Sequence, residues 1–329
     1  MVYVLRFYPH AAEMRCDLMR DRRRSKGPFA ILILSLFMTA LAPAEIKTAG
    51  TDQPAYADEI EKWRKGRAEE MTGEDGWLSL VGLYWLSPGK NRFGSDASNE
   101  ITFPKNKAPA QAGTLWLDGG LVRLEANPGV VITSEGEAVT SLALKSDAEG
   151  KPTRLVLGTL SFYVIKRGER LGLRVKDKQN PARFHFAGIK TYPLDPKWRI
   201  EASFEAYDPP KQIPIVNVLG MTENQASTGA IVFEVGGKPY RLDAIQEKGS
   251  DKLFIIFADK TNGRATYGAG RYLYTSGPGA GGKVIIDFNK SENPPCAFTS
   301  YATCPLPPRQ NRLPFPVEAG ELKYAGSAH

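Results

Sequence analysis

The chain has 329 residues, more than a single hydrophobic core usually organises, so two domains are expected, with one large β domain as the alternative. At 42% apolar and 24% charged residues it can bury a core, and beyond the N-terminus no apolar run is long enough to span a bilayer as a helix. Of the formal charge of +7, the seven Lys/Arg and three acids up to Ala44 account for +4; the +3 that remains is scattered, so no nucleic-acid partner is expected.

Residues 1–44 read as a secretion signal. A basic stretch from Arg20 to Lys26 precedes an apolar core of 14 residues, Phe29 to Ala42, and Ala42-Pro43-Ala44 offers small residues for cleavage after Ala44. The apolar core is shorter than the roughly 20 residues of a spanning helix, so a periplasmic or secreted protein is expected, with an uncleaved anchor as the alternative. The stretch before Arg20 is long for such a signal, which makes Met14 or Met19 an alternative start. Cys16 leaves with the signal. Cys296 and Cys304 remain, and in an oxidising compartment they are expected to form one disulfide. Beyond the signal the histidines are His185 and His329, too few to complete a zinc shell, so no metal or other cofactor is expected.

Residues 45–76 form a linker and an amphipathic helix. Ile60, Trp63, Ala68 and Met71 recur at near-helical spacing over 58–71, and Gly73 and Gly76 end the helix, which is expected to cover the edge of the first module. From 77 to 180 the pattern changes to short apolar runs: 77–85, 101–103, 114–117, 121–124, 130–133, 142–144, 154–156, 160–165 and 171–175. Turn residues such as Asn127-Pro128-Gly129 and Arg167-Gly168 punctuate them, which predicts an N-terminal β-sandwich. The stretch from Gly89 to Ile101, with Gly94 and Asn99, resembles the opening of forkhead-associated sandwiches. Those domains read phosphothreonine through an Arg after the glycine and a Ser-x-x-His stretch; here Ser95 follows Gly94 and no such stretch follows, so that activity is not expected.

A polar junction precedes a second β module over 181–329, with runs at 199–207, 213–219, 230–235, 240–246, 252–257, 271–274 and 283–288 that predict an antiparallel barrel or sandwich. His185, inside Arg183-Phe184-His185-Phe186, reads as an ordinary strand position. Gly277 to Gly282 precedes a strand and lacks the Lys-Ser/Thr and helix of a phosphate loop, so it reads as a hairpin connection. No Gly-x-Ser-x-Gly or His-Glu-x-x-His signature is present.

The strip from Asn293 to Pro316 carries seven prolines and can be neither a helix nor a central strand, yet Phe298, Tyr301, Leu306, Leu313 and Phe315 anchor it. It is either a strap sealing the second module or the lining of a site. Folding the neighbouring strands back about Gly277 to Gly282 sets Tyr272 opposite Asp287 and Gly270 opposite Asn289, and a one-residue slip brings Arg271 toward Asp287.

These segments resemble a bacterial family, domain of unknown function 1684, many of whose members are exported. The carrying residues are Gly76-Trp77-Leu78, Gly82-Leu83, Trp85-Leu86, Gly89-Lys90-Asn91 and Phe93-Gly94, then Tyr267, Gly270-Arg271-Tyr272-Leu273 and Asp287-Phe288-Asn289. Asn293-Pro294-Pro295-Cys296-Ala297-Phe298, Tyr301, Cys304-Pro305, Pro307-Pro308 and Asn311-Arg312-Leu313 complete them. The resemblance implies a common architecture and no established reaction. One departure is Ser291-Glu292, where the family pattern has Ala followed by Tyr.

Three functions follow as expectations. The first is binding of a small polar or anionic molecule in the second module, with Arg271 pairing the anion, Asn289, Asn293 and Asn311 supplying amide hydrogen bonds and Tyr301 a stacking wall. The second is a metal-independent hydrolase or lyase with Asp287 as general base and Tyr272 or Arg271 stabilising charge. The third is a structural role at the cell envelope.

Overall fold

In the computed structural model, residues 52–246 and 250–326 are described; the expected secretion signal and its alternative starts lie outside them. Helix α1 spans Gln53–Thr72. It begins earlier than the apolar spacing indicates because Pro54 sits in the first turn, where a missing N–H costs no helical bond. Tyr56, Ile60, Arg67 and Met71 are its buried residues, spaced four, seven and four apart along one face. Two of these are polar and must find partners. Tyr56 and Arg67 find them on residues 287–293 and 321, so the helix is fastened to the second module rather than laid over the edge of the first. After the helix the chain passes so close that a Cβ on Gly76 would lie 2.4 Å from the carbonyl oxygens of Glu70 and Met71.

The first module holds eleven strands: β1 (Leu80–Trp85), β2 (Gly89–Gly94), β3 (Ile101–Thr102), β4 (Gly113–Asp118), β5 (Leu121–Ala126), β6 (Ile132–Ser134), β7 (Glu137–Val139), β8 (Ser141–Leu144), β9 (Leu155–Leu157), β10 (Leu160–Arg167) and β11 (Arg170–Asp177). They form two sheets, β1-β11-β10-β9-β6-β7 and β3-β2-β4-β5-β8, which share one core. Phe93, Phe103 and Phe162 meet at its centre with ring centroids 5.3 to 5.7 Å apart, the tilted packing aromatic rings prefer. The apolar pattern misses β2 and β7. In β2 the hidden element is polar: Asn91 is buried and its amide spans Ser87, Gly89 and Leu115 carbonyls. Alternation along β11 sends Leu173 and Val175 into the core and therefore Arg174, paired with Tyr163, to the opposite face of the sheet.

The second module holds β12 (Arg199–Val216), β13 (Thr222–Val235), β14 (Lys238–Gln246), β15 (Lys252–Phe257), β16 (Arg271–Ser276) and β17 (Lys283–Asp287). Its antiparallel sheet runs β16-β15-β14-β13-β12-β17 and curls into a nearly closed barrel. β16 and β17 are its two ends, not the hairpin expected around Gly277 to Gly282. No main-chain ladder joins them; at the seam Thr275 Oγ1 donates to the Ile285 carbonyl at 2.6 Å. Two expected strands merge into β12, where the register shift between Ala206 and Lys211 absorbs Pro209 and Pro210 in a bulge, a place where a strand tolerates proline. His185 is no strand residue: it caps a short helix, Pro181–Phe184, and is exposed.

The barrel sheet has two apolar faces. Leu253, Ile255, Phe257 and Leu273 fill the interior with Trp198, Phe233 and Phe288. Their alternates Phe254, Ile256 and Tyr272 face outward, against Cys296, Ala297, Ala302 and Cys304 of the proline strip and against Ile213 and Ile215. The last two ride on the overhang of β12 and β13 beyond the bulge, where Ile213 pairs with Gln225 and Ile215 with Glu223. The proline strip is ordered by main-chain bonds to that overhang, Val218 N to Cys304 O at 2.9 Å and Leu306 N to Val216 O at 2.7 Å.

Candidate functional site between the two modules

Parity separates the two residues on which the expected site depended. Arg271 shares the interior face with Leu273, and there it is completely buried. Its Nη2 donates to Asp259 Oδ2 at 2.6 Å and to Val317 O at 2.9 Å, and its Nη1 to Ala319 O. Burial lowers the guanidinium pKa and Asp259 opposes the shift. The guanidinium holds down the C-terminal segment and is not turned toward a ligand or toward Asp287. Asp287, whose neighbour Ile286 faces the interior, points the other way and accepts from Tyr56 Oη at 2.8 and 3.0 Å. Desolvation raises its carboxyl pKa, and the bonds from Tyr56 and Asn289 and the charge of Lys290 pull it back. It anchors α1 instead of standing as a base in a cleft.

Asn289 and Asn311 are committed through both side-chain atoms and Asn293 through its amide nitrogen, while Asn293 Oδ1 is buried without a partner. Asn289 donates to Tyr56 Oη at 3.0 Å and Asp195 O at 2.9 Å, Asn293 Nδ2 donates to Leu322 O at 2.8 Å, and Asn311 brackets Asp243 and Ile256 with three main-chain bonds. Tyr301 is half-buried and does not line the cavity described below. Cys296 and Cys304 stand side by side as buried free thiols, with Cys296 N 3.1 Å from Cys304 Sγ, where a disulfide was expected. Burial pushes the Cys304 thiol far up, while its hydrogen bond to Cys296 lowers the pKa of Cys296.

The concavity lies elsewhere. A cavity of about 660 Å³ opens between the outer face of the barrel sheet, the proline strip, α1 and the free face of β10 and β11. Of the candidate site residues and the cysteine pair, Tyr272 and Cys304 line it. Ile215, Ile245, Phe254 and Ile256 give it an apolar wall, continued by Trp77 and by Pro295 and Pro305 of the strip. Tyr272 is positioned by its Oη donating to Pro305 O at 3.0 Å and by two main-chain bonds of 2.9 Å to Glu292.

One end of the cavity is basic. Arg167 Nη1 lies 2.9 Å from Asp147 Oδ2, and its Nε donates to Thr303 Oγ1 at 3.0 Å. Arg174 reaches the same hydroxyl with Nη2 at 3.4 Å and lies 5.6 Å over the Trp77 ring. It is 4% exposed, its Nε has no hydrogen-bond partner, and among the described residues it forms no ion pair. A buried guanidinium without a counter-charge is costly. Lys166 adds a further exposed cation, and Glu223 is occupied by the Gly168 N–H at 2.6 Å.

The other end gathers three carboxyls around one guanidinium. Arg67 lies 3.2 Å from Glu321, 3.3 Å from Glu70 and 3.4 Å from Glu292. Glu321 also accepts from Asn293 N at 2.6 Å, so it is the better satisfied carboxylate. Glu292 is pushed up to about 8 by burial, with Arg67 pulling it down and Glu321 and Glu70 raising it further. This raised carboxyl lies on the cavity wall. Among the described residues no three of His, Cys, Asp and Glu gather closely enough to hold a metal ion.

Arg67 and Arg174 were not picked out from the sequence, Arg167 was read only as a turn residue, and Trp77 only as part of the family resemblance. The available signal was Leu-Gly-Leu-Arg-Val-Lys in β11, a run with two cations at alternate positions, both of them buried in the structure. Charges on a strand whose other face is core must meet a second module or a ligand.

A mainly β protein, with a sandwich, a nearly closed six-stranded barrel and one N-terminal helix, is thus defined. Residues 184–322, which take in the barrel and the proline strip, are a domain of the family described as "Protein of unknown function (DUF1684)". Among solved structures, the chain is similar to an uncharacterized protein of Haloarcula marismortui determined by solution NMR, with 29% identity and a TM-score of 0.37, over 44% of this chain and 80% of that one. It is also similar to the FHA-2 domain of a Mycobacterium tuberculosis ABC transporter, with 21% identity and a TM-score of 0.21, over 27% of this chain and 77% of that one. A third is the FhaA FHA domain complexed with the intracellular domain of Rv3910, with 15% identity and a TM-score of 0.21, over 29% and 97%. No curated protein matches.

Proposed function

We propose that the protein binds a small organic anion in the cavity between its two modules. Arg174 carries this reading: a buried guanidinium that lines a cavity and has no carboxylate partner among the described residues is suited to a counter-charge supplied by a ligand. The cavity volume falls in the range of roughly 300–1,000 Å³ typical of small-molecule sites, and the apolar wall suits an organic body attached to the anion. A thermal-shift screen of carboxylates, organic phosphates and sulfonates tests the proposal, because a ligand of the folded state raises its midpoint. Arg174→Met should leave the free protein at least as stable and remove the shift. A variant that loses several degrees while keeping the shift would assign Arg174 a structural role.

A second reading, a metal-independent hydrolase or lyase, draws its support from Glu292 rather than Asp287, since Glu292 is a carboxyl of raised pKa on the cavity wall. The export reading rests on the basic stretch, the apolar core and the Ala-Pro-Ala site of residues 20–44. In an oxidising compartment the neighbouring thiols of Cys296 and Cys304 would close into a disulfide at the cavity edge.

A further inference from the structure

The two sides of the cavity carry opposite surpluses of ionisable groups. At the β10–β11 side, Arg174 has no carboxylate partner among the described residues, Asp147 is paired with Arg167, and Glu223 accepts the Gly168 N–H. At the α1 side the surplus is reversed, because Arg67 alone faces Glu70, Glu292 and Glu321. Glu292 is the least satisfied of these. Arg67 Nε lies 3.4 Å away, and Glu321 takes the shorter contact and the Asn293 N–H. The same cavity is lined by the apolar side chains of Ile215, Phe254 and Ile256 and by Tyr272.

We infer that the ligand is amphoteric: an organic molecule with an anionic group against Arg174 and an amine against Glu292, joined by an apolar spacer lying on the barrel's outer face. This rests on the anion-binding reading and deepens it. A plain anion satisfies one end and leaves the carboxyl surplus without a partner. An ammonium group placed at Glu292 supplies the second charge, and ionised partners make the stronger hydrogen bonds. The binding step balances as follows. Protonated Glu292 and the ligand ammonium form a carboxylate–ammonium pair, and the carboxyl proton passes to buffer. The groups facing Glu292 are Arg67 and Glu70 from α1, Glu321 from the C-terminal segment and Tyr272 from β16, with Lys62 and Lys290 on a neighbouring concavity that Glu292 also lines; its raised pKa makes it the carboxyl that gives up this proton.

The test uses purified full-length protein and three sets of probes: ω-amino acids of butanoate, hexanoate and octanoate length, the unsubstituted carboxylates, and the corresponding alkylamines. Titration calorimetry should show at least one ω-amino acid binding about tenfold more tightly than its plain carboxylate, the order expected for one added charge-assisted contact. Repeating that titration in two buffers of different ionisation enthalpy should show proton release with the ω-amino acid and none with the carboxylate. Glu292→Gln, which keeps the side chain's size, should erase the tenfold preference and the proton release while the carboxylate still binds; Arg174→Met should abolish both. Equal binding of carboxylate and ω-amino acid without proton release overturns the amphoteric ligand and leaves the anion site standing. Failure of every carboxylate and ω-amino acid to bind overturns both.

Discussion

Asp259→Asn tests whether Arg271 is a structural clamp or a ligand-binding group. The substitution removes the charge opposite a guanidinium whose side chain, like that of Asp259, has no solvent exposure, at a separation of 2.6 Å. It also weakens the acceptor at Oδ1, which takes the Thr261 N–H and hydroxyl at 2.8 and 2.7 Å and the Val317 N–H at 3.1 Å. Leaving one member of a buried ion pair uncompensated costs about 3–5 kcal/mol. At roughly 2 °C per kcal/mol for a cooperative unit of this size, the thermal midpoint should fall by about 6–10 °C. Circular dichroism against temperature, with urea unfolding as the second probe, measures it. Arg271→Met combined with Asp259→Leu should recover much of the loss, because an apolar pair leaves no stranded charge. A midpoint change in Asp259→Asn smaller than about 2 °C, or a loss of ligand binding without loss of stability, would refute the reasoning and return Arg271 to the site.

Glu292 sets a pH dependence whose sign follows from its raised pKa. The folded state holds a proton up to about 8 where the free carboxyl releases it near 4.5, so this contribution to stability is fully present below 4.5 and is lost as pH climbs through about 8. Glu292→Gln should remove that decline, and its midpoint should exceed that of the wild type at pH 9 while matching it near pH 5. Tyr56→Phe deletes the hydroxyl that bonds the Asp287 carboxylate and should cost about 1.5–3 kcal/mol. Hydrogen exchange should then show α1 less protected, with the barrel strands unchanged. In protein recovered from an oxidising compartment, Cys296 and Cys304 should resist thiol labelling after unfolding until a reductant is added; labelling of both without reductant would remove the disulfide proposal.

Much of the architecture was legible because it depends on local patterns. Apolar runs separated by glycine and proline turns mark most strands of both modules, since a half-buried strand repeats every two residues whatever lies beyond it. The Asn-Pro-Pro-Cys block and its neighbours marked the family, which the domain over 184–322 bears out. Strands with a buried polar residue escaped, as β2 shows, because Asn91 is satisfied by main-chain carbonyls rather than by apolar contact.

What the tertiary structure alone decided was which side of each strand meets what. Closure of the barrel makes β16 and β17 the two sides of a seam, so Arg271 and Asp287 never face each other across a hairpin. Arg67 from α1, Arg174 from β11 and Glu292 beside β16 reach a common cavity although they lie more than a hundred residues apart in the chain. No periodicity encodes that meeting. It arises from docking the free face of one sheet against the outer face of another, and the energy of such contacts depends on partners supplied by distant segments.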